Sequence, residues 1–419
     1  MITLKVQRFD WDLELSFMYK AVVSDLNVTE IMIPWVYQAG LPIINVTIEA
    51  PYIRATQQRF MKDPDADVRQ PISPYGYKWH VPLTYVTQSG TSSLIWINGT
   101  DSVLLPDPTD GADWIKFNYN QYMYYRVNYS DELFRRLIEQ INNNYTVFSP
   151  LDRANLLDDA FNIARAGQVP YEGVLNMTSY MRIEVDWEPW HAAQAGLTYL
   201  SDMLYTSADY SLFRAYVQDL TGYRMDKLKV QDGGTHMENV FAVAPNLRRV
   251  VYSFGMQAIG GDEEFAIMWD RYTKATSTQE ADNILYGLTW TDKLWLIQKL
   301  LDYSTDETKI RSQDFFTLMD YIGQNKIANG YLWDWVRANY DYIVNRFGLD
   351  NRDLGRMVPK IVSGYNTQFQ LEEVQSFYER YPDAGTGEQA RVDSLDSIQN
   401  NIKWLARSEE QIIDWLEKY

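Results

Sequence analysis

From about residue 43 to 128, apolar positions fall in short alternating or β-branched runs: INVTI, YKWHVPLTYVT, SSLIWIN, SVLLP, WIKFNYN and YMYYRVNY. Runs of that length, bounded by Pro, Gly, Asp and Asn, predict a small antiparallel β-sandwich. After about 130 the period becomes 3.6 and holds to the C-terminus. Ser149-Pro150 reads as an N-cap followed by proline at the first helical position, and LDRANLLDDAFNIARAG runs to a stop at Gly167. Pro189 opens another helix and Ser207 caps a further one. Helices are then predicted at 246–258, 263–275, 278–288, 291–302, 312–323, 329–346, 367–380 and 387–417. Short connectors make neighbours antiparallel. The predicted class is α+β multidomain, a small antiparallel β-sandwich followed by a large all-α superhelical, solenoid-like domain with a concave binding face.

The stretch Asn345–Gln370, NRFGLDNRDLGRMVPKIVSGYNTQFQ, is where a function can be placed. An aromatic-rich helix stops at Gly348, the expected αL terminator, and a polar turn presents Arg352 and Arg356 before apolar periodicity resumes. Arginines there either pair with structural acids or reach a ligand carboxylate.

Composition narrows the partners. With 419 residues, more than one core is expected. The net charge of −18 argues against nucleic acid and against an anionic membrane surface. No run approaches membrane-spanning length, and residues 1–30 show neither a clear period nor the pattern of a signal peptide. The absence of cysteine removes disulfides and thiolate chemistry. Sequons at Asn27, Asn45, Asn98, Asn128, Asn144 and Asn176 point weakly to an extracellular surface.

Catalytic chemistry is scarce. His80, His191 and His236 are too scattered for an H-E-x-x-H pair and read as structural. No G-x-S-x-G, phosphate-cradling loop or EF-hand occurs. Asp158 and Asp159 are helical neighbours about 100° apart, which favours capping or ion pairing over a shared site.

Several blocks in order, YYRVNY (124–129), FSPLDRANLLDDAFNIARAG (148–167), LRRVVY (247–252) and NNIKWL (400–405), resemble the M1 zinc metalloaminopeptidases. IMIPWVYQAGLPIINV (31–46) and TQQRFMKDP (56–64) are similar to the end of that family's catalytic domain running into its sandwich. The resemblance implies an unassigned start plus the end of a catalytic domain over 1–46, a β-sandwich over 47–129 and a helical C-terminal domain over 130–419. NYDYIVNRFGLDNRDLGR and FYERYPDAGTGEQAR resemble the branch that removes N-terminal Glu or Asp, the glutamyl aminopeptidases. In that branch the first arginine of this turn holds a substrate carboxylate, which implies a substrate-binding role for Arg352. The resemblance gives Arg356 no role.

The family's zinc motif, its G-x-M-E-N amine-binding loop and its catalytic tyrosine have no counterpart in these residues. The resemblance thus implies zinc for the intact family and none in this chain, which is expected to be inactive alone while enclosing substrate and setting specificity. It further implies a peptide substrate, allows a homodimer, and places the family at the cell surface through an anchor that would precede these residues. About 40 residues, one helical repeat, are missing relative to the family between GGTHMENV and APNLRRVVY, so low order is expected around 228–245. A non-catalytic helical-repeat protein binding a peptide or protein partner is the alternative.

Overall fold

The computed structural model describes residues 27–63, 73–108, 114–227 and 248–419. The segment where low order is expected, 228–245, and His236 lie outside the described residues. The chain divides into two compact units, one from residues through Ser201 with Ala208–Arg224 and Arg407–Tyr419, the other from Asp202–Ser207 and Met225–Ala406.

Among the described residues of the first unit, helix α1 (Val28–Tyr37) comes first, capped by Asn27. Nine strands follow among the described residues: β1 (Pro42–Glu49), β2 (Tyr52–Arg59), β3 (His80–Leu83), β4 (Tyr85–Thr87), β5 (Gly90–Thr91), β6 (Ile95–Asn98), β7 (Ser102–Pro106), β8 (Ile115–Phe117) and β9 (Arg126–Tyr129). They form sheets ordered β7-β2-β1-β9, β3-β6 and β5-β4-β8. All pairs among the described residues are antiparallel except β1 with β9, which run parallel with Ile43 opposite Arg126. Ile43, Ile44, Val46, Trp79, Val81, Ile97 and Phe117 are fully buried, and this apolar burial is the main stabilising term.

Strand β2 escapes the sequence pattern because two of its polar residues, Gln57 and Arg54, are paired within the fold. Gln57 is buried, donating to the carbonyls of Trp79 (3.0 Å) and Thr100 (2.6 Å) and accepting from the Trp79 N–H at 3.0 Å. Arg54 is held by Glu49 at 2.6 Å.

Helices α2 (Asp131–Asn143), α3 (Pro150–Arg165), α4 (Tyr171–Thr178), α5 (Trp187–Leu204) and α6 (Tyr210–Lys227) follow. The Ser149 hydroxyl accepts from the Asp152 N–H at 3.2 Å with Pro150 next, and Gly167 ends the turn at φ +73°. Helix α5 begins two residues before Pro189, and α6 begins at Tyr210, beyond the expected Ser207 cap.

The second unit contains α7 (Arg248–Ile259), α8 (Asp262–Lys274), α9 (Thr278–Leu288), α10 (Leu294–Ser304), α11 (Phe315–Gln324), α12 (Lys326–Phe347), α13 (Arg352–Ile361), α14 (Gln368–Arg380) and most of α15 (Glu388–Leu416). Leu296, Ile297, Leu300, Phe315, Leu332 and Val336 are buried in one apolar core. Asparagines fix the corners between helices. Asn325 donates to the carbonyls of Thr289 (2.8 Å) and Thr291 (2.9 Å) and caps α12, while Asn329 donates to Gly323 and Ile361 at 2.8 Å each.

Candidate functional site

The turn between α12 and α13 begins at Gly348, whose N–H returns to the Val344 carbonyl at 2.9 Å. Gly348 has φ +79° and ψ 149°, so the terminator is glycine as expected but extended in ψ rather than αL. Asn351 then caps α13, its side chain accepting from the Asp353 (2.9 Å) and Leu354 (3.1 Å) N–H groups. That cap draws both arginines into the helix: Arg352 is the first residue of α13 and Arg356 lies one turn later, rather than in a turn before it. Leu354, Met357, Val358 and Ile361 turn inward and leave Arg352, Arg356 and Lys360 exposed. Lys360 is paired with Asp320 at 2.9 Å. Neither arginine has a side-chain partner among the described residues.

The segment 385–387 grips the turn from outside through both backbone and the Thr386 hydroxyl. The Thr386 N–H donates to the Leu349 carbonyl at 3.2 Å and its hydroxyl to the Asn351 carbonyl at 3.1 Å. Gly385, at φ +51°, leaves no room for a side chain, since a Cβ there would lie 2.0 Å from the Leu349 oxygen. Gly387 meets Gly355 glycine to glycine, and a Cβ on Gly387 would lie 2.6 Å from the Gly355 oxygen. Arg391 anchors this segment by donating to the carbonyls of Tyr381 and Asp383. Sequence reasoning singled out the arginine but not this support. The signal was a glycine inside α13 and the Gly-Thr-Gly of 385–387, because a helical glycine often marks a close approach.

A second polar cluster lies in the first unit and is largely paired within itself, with Arg126 Nε left without a hydrogen-bond partner among the described residues. Lys116, fully buried, donates to the Asn118 carbonyl, Asn155 Oδ1 and Asp152 Oδ1, each at 2.8 Å. Burial pushes its ammonium down from the usual range against the pull of Asp152. Asp158 and Asp159 do ion-pair, but both converge on one nitrogen of Arg126, at 2.7 and 2.9 Å, rather than diverging. Burial pushes the Asp159 carboxyl up to about 6, opposed by Arg126 and the Val127 N–H. His80 accepts the Trp35 indole through its backbone carbonyl, and the His191 ring stacks on Trp187 at 4.7 Å. Among the described residues, no group of three or more His, Asp or Glu is placed to hold a metal ion.

Against known proteins, the ERAP1-like C-terminal domain family matches residues 114–244 and 235–400. The chain is 33% identical to aminopeptidase A of Gloydius brevicauda, over 94% of this chain and 45% of that protein. It is 32% identical to the glutamyl aminopeptidases of Bos taurus and Homo sapiens, over 94% of this chain and 44% of each. The chain belongs to the M1 aminopeptidase family, in its C-terminal half. It spans a little under half the length of these relatives. The two pieces of the family match meet at 235–244, the place where this M1 chain is expected to lack a repeat. No helix among the described residues is long and apolar enough to cross a membrane.

Proposed function

We propose that this M1 chain is the substrate-enclosing, specificity-setting part of an aminopeptidase that takes acidic residues from peptide N-termini, with Arg352 holding the side-chain carboxylate of the terminal Glu or Asp. The observation that carries this reading is Arg352 itself: exposed and unpartnered among the described residues, at the start of a helix whose preceding turn is held by Thr386. A guanidinium offers a planar fork of donors that meets a carboxylate bidentately. The position adds to this, because a cation at a helix N-terminus is disfavoured by about 0.3–1 kcal/mol. An arriving carboxylate is attracted by the arginine and relieves that repulsion at the same time.

The family is generally zinc-dependent, and zinc would supply the polarisation of the peptide carbonyl and the activated water. The residues of this chain do not fit such a centre: the sequence carries no H-E-x-x-H. The part assigned to its own side chains is to bind and orient. A cell-surface setting and a homodimer belong to the same proposal. The helical-repeat binding module is not favoured, since similarity to aminopeptidases runs through sandwich and helices alike.

The test joins this chain to the zinc-bearing half of a glutamyl aminopeptidase. Arg352→Ala is expected to lower kcat/KM about 10- to 150-fold on Glu-terminated substrates, the equivalent of ~1.5–3 kcal/mol for hydrogen bonds to a charged group. Ala-terminated substrates should change by less than about twofold, since they offer no side-chain carboxylate to lose. Equal losses on both would refute the clamp.

A further inference from the structure

The six sequons separate into distinct structural classes. Asn45 and Asn128 are register partners on β1 and β9, and the Asn128 amide donates to Asn45 Oδ1 at 3.0 Å in a partly buried pair. Asn176 accepts the Trp415 indole N–H at 2.9 Å, also partly buried. Asn27 is exposed, but its amide is engaged with Glu30 at the start of α1, and it is left unassigned.

Asn98 and Asn144 differ from these. Asn98 is exposed at the end of β6, where Gly99 at φ +66° turns the chain toward β7, and its side chain has no hydrogen-bond partner among the described residues. Thr100, two residues on, is exposed as well. Asn144 is exposed just past α2. Its Oδ1 accepts from the Thr146 N–H at 3.2 Å and hydroxyl at 2.6 Å, which leaves the amide nitrogen facing solvent with no acceptor among the described residues. At both sites the asparagine itself is exposed, its nitrogen has no acceptor among the described residues, and the required threonine lies at the surface.

We propose that Asn98 and Asn144 are N-glycan acceptors of this chain, and that Asn45, Asn128 and Asn176 are bare in the folded protein. The donor is a lipid-linked oligosaccharide diphosphate. A bond forms between Nδ2 and the anomeric carbon, the bond from that carbon to the diphosphate oxygen breaks, the lipid diphosphate leaves with the electron pair, and Nδ2 gives up one proton. Asn128 already spends its Nδ2 on Asn45, and Asn45, Asn128 and Asn176 are all half-buried rather than exposed, which sets them apart from Asn98 and Asn144.

The full chain, given a secretion signal and expressed in a eukaryotic cell, is purified as its folded, secreted fraction and analysed by glycopeptide mass spectrometry. Glycans are expected at Asn98 and Asn144. Asn98→Gln and Asn144→Gln should each remove one glycan mass, as should Thr100→Ala and Thr146→Ala, which keep the asparagines and, at 144, the hydrogen bond from the Thr146 N–H. A folded fraction bare at either Asn98 or Asn144, or carrying a glycan at Asn45, Asn128 or Asn176, overturns the assignment.

Discussion

Gly387→Ala is the sharpest probe of how the Arg352 turn is held. The added methyl would sit 2.6 Å from the Gly355 carbonyl oxygen and 2.8 Å from its Cα, so the obstacle is backbone of α13, not a side chain that can swing away. Overpacking of this kind costs about 1–3 kcal/mol. The separation that relieves it strains the two hydrogen bonds from Thr386 to Leu349 and Asn351, each worth about 1 kcal/mol net. A loss of about 2–5 kcal/mol follows, or a fall of about 5–15 °C in the melting transition of a unit of this size. The matched control is Gly330→Ala, in the interior of α12 with nothing within 4 Å, which should gain up to about 1 kcal/mol from reduced backbone entropy. Thermal unfolding followed by circular dichroism gives the global effect. Hydrogen exchange of a peptide covering 349–356 gives the local one, with faster exchange expected in Gly387→Ala alone. If Gly387→Ala melts with Gly330→Ala and exchange over 349–356 is unchanged, the glycine contact is not what holds the arginine in place.

Two further outcomes concern the first unit. Lys116→Met strands the buried Asp152 carboxylate and should destabilise by about 3–5 kcal/mol, while adding Asp152→Leu should recover part of that; denaturant titration of the two variants decides, and no recovery would count against the pair. Asp159 has a folded pKa near 6, above its unfolded value near 3.8, so its contribution is fully present below about pH 4 and is lost as pH rises toward 6. The stability difference between wild type and Asp159→Asn, read from unfolding curves at pH 4, 5 and 6, should therefore shift against wild type by the highest pH. A difference independent of pH would contradict the raised value.

Local pattern carried much of the fold. Nearly every helix of the second unit was legible because one face of each is apolar at helical spacing, and burial follows that face. What escaped had a non-local cause. Strand β2 reads as polar because Gln57 finds its partners on segments more than 20 residues away. The parallel β1–β9 pairing joins residues 83 apart, which no window along the chain reveals. Asp158 and Asp159 point apart on an ideal helix, yet an arginine from β9 reaches both.

The sequence by itself determined the change from alternating to helical period and the glycine that ends α12, since propensity and periodicity are properties of neighbours in the chain, while resemblance to the M1 family singled out Arg352. Only the tertiary structure decided that Arg352 opens a helix rather than sitting in a turn, that Thr386 and two facing glycines clamp it, and which sequon asparagines face solvent. Those outcomes depend on how closely distant backbones approach and on which polar groups are already satisfied there, and neither is written in the order of residues around them.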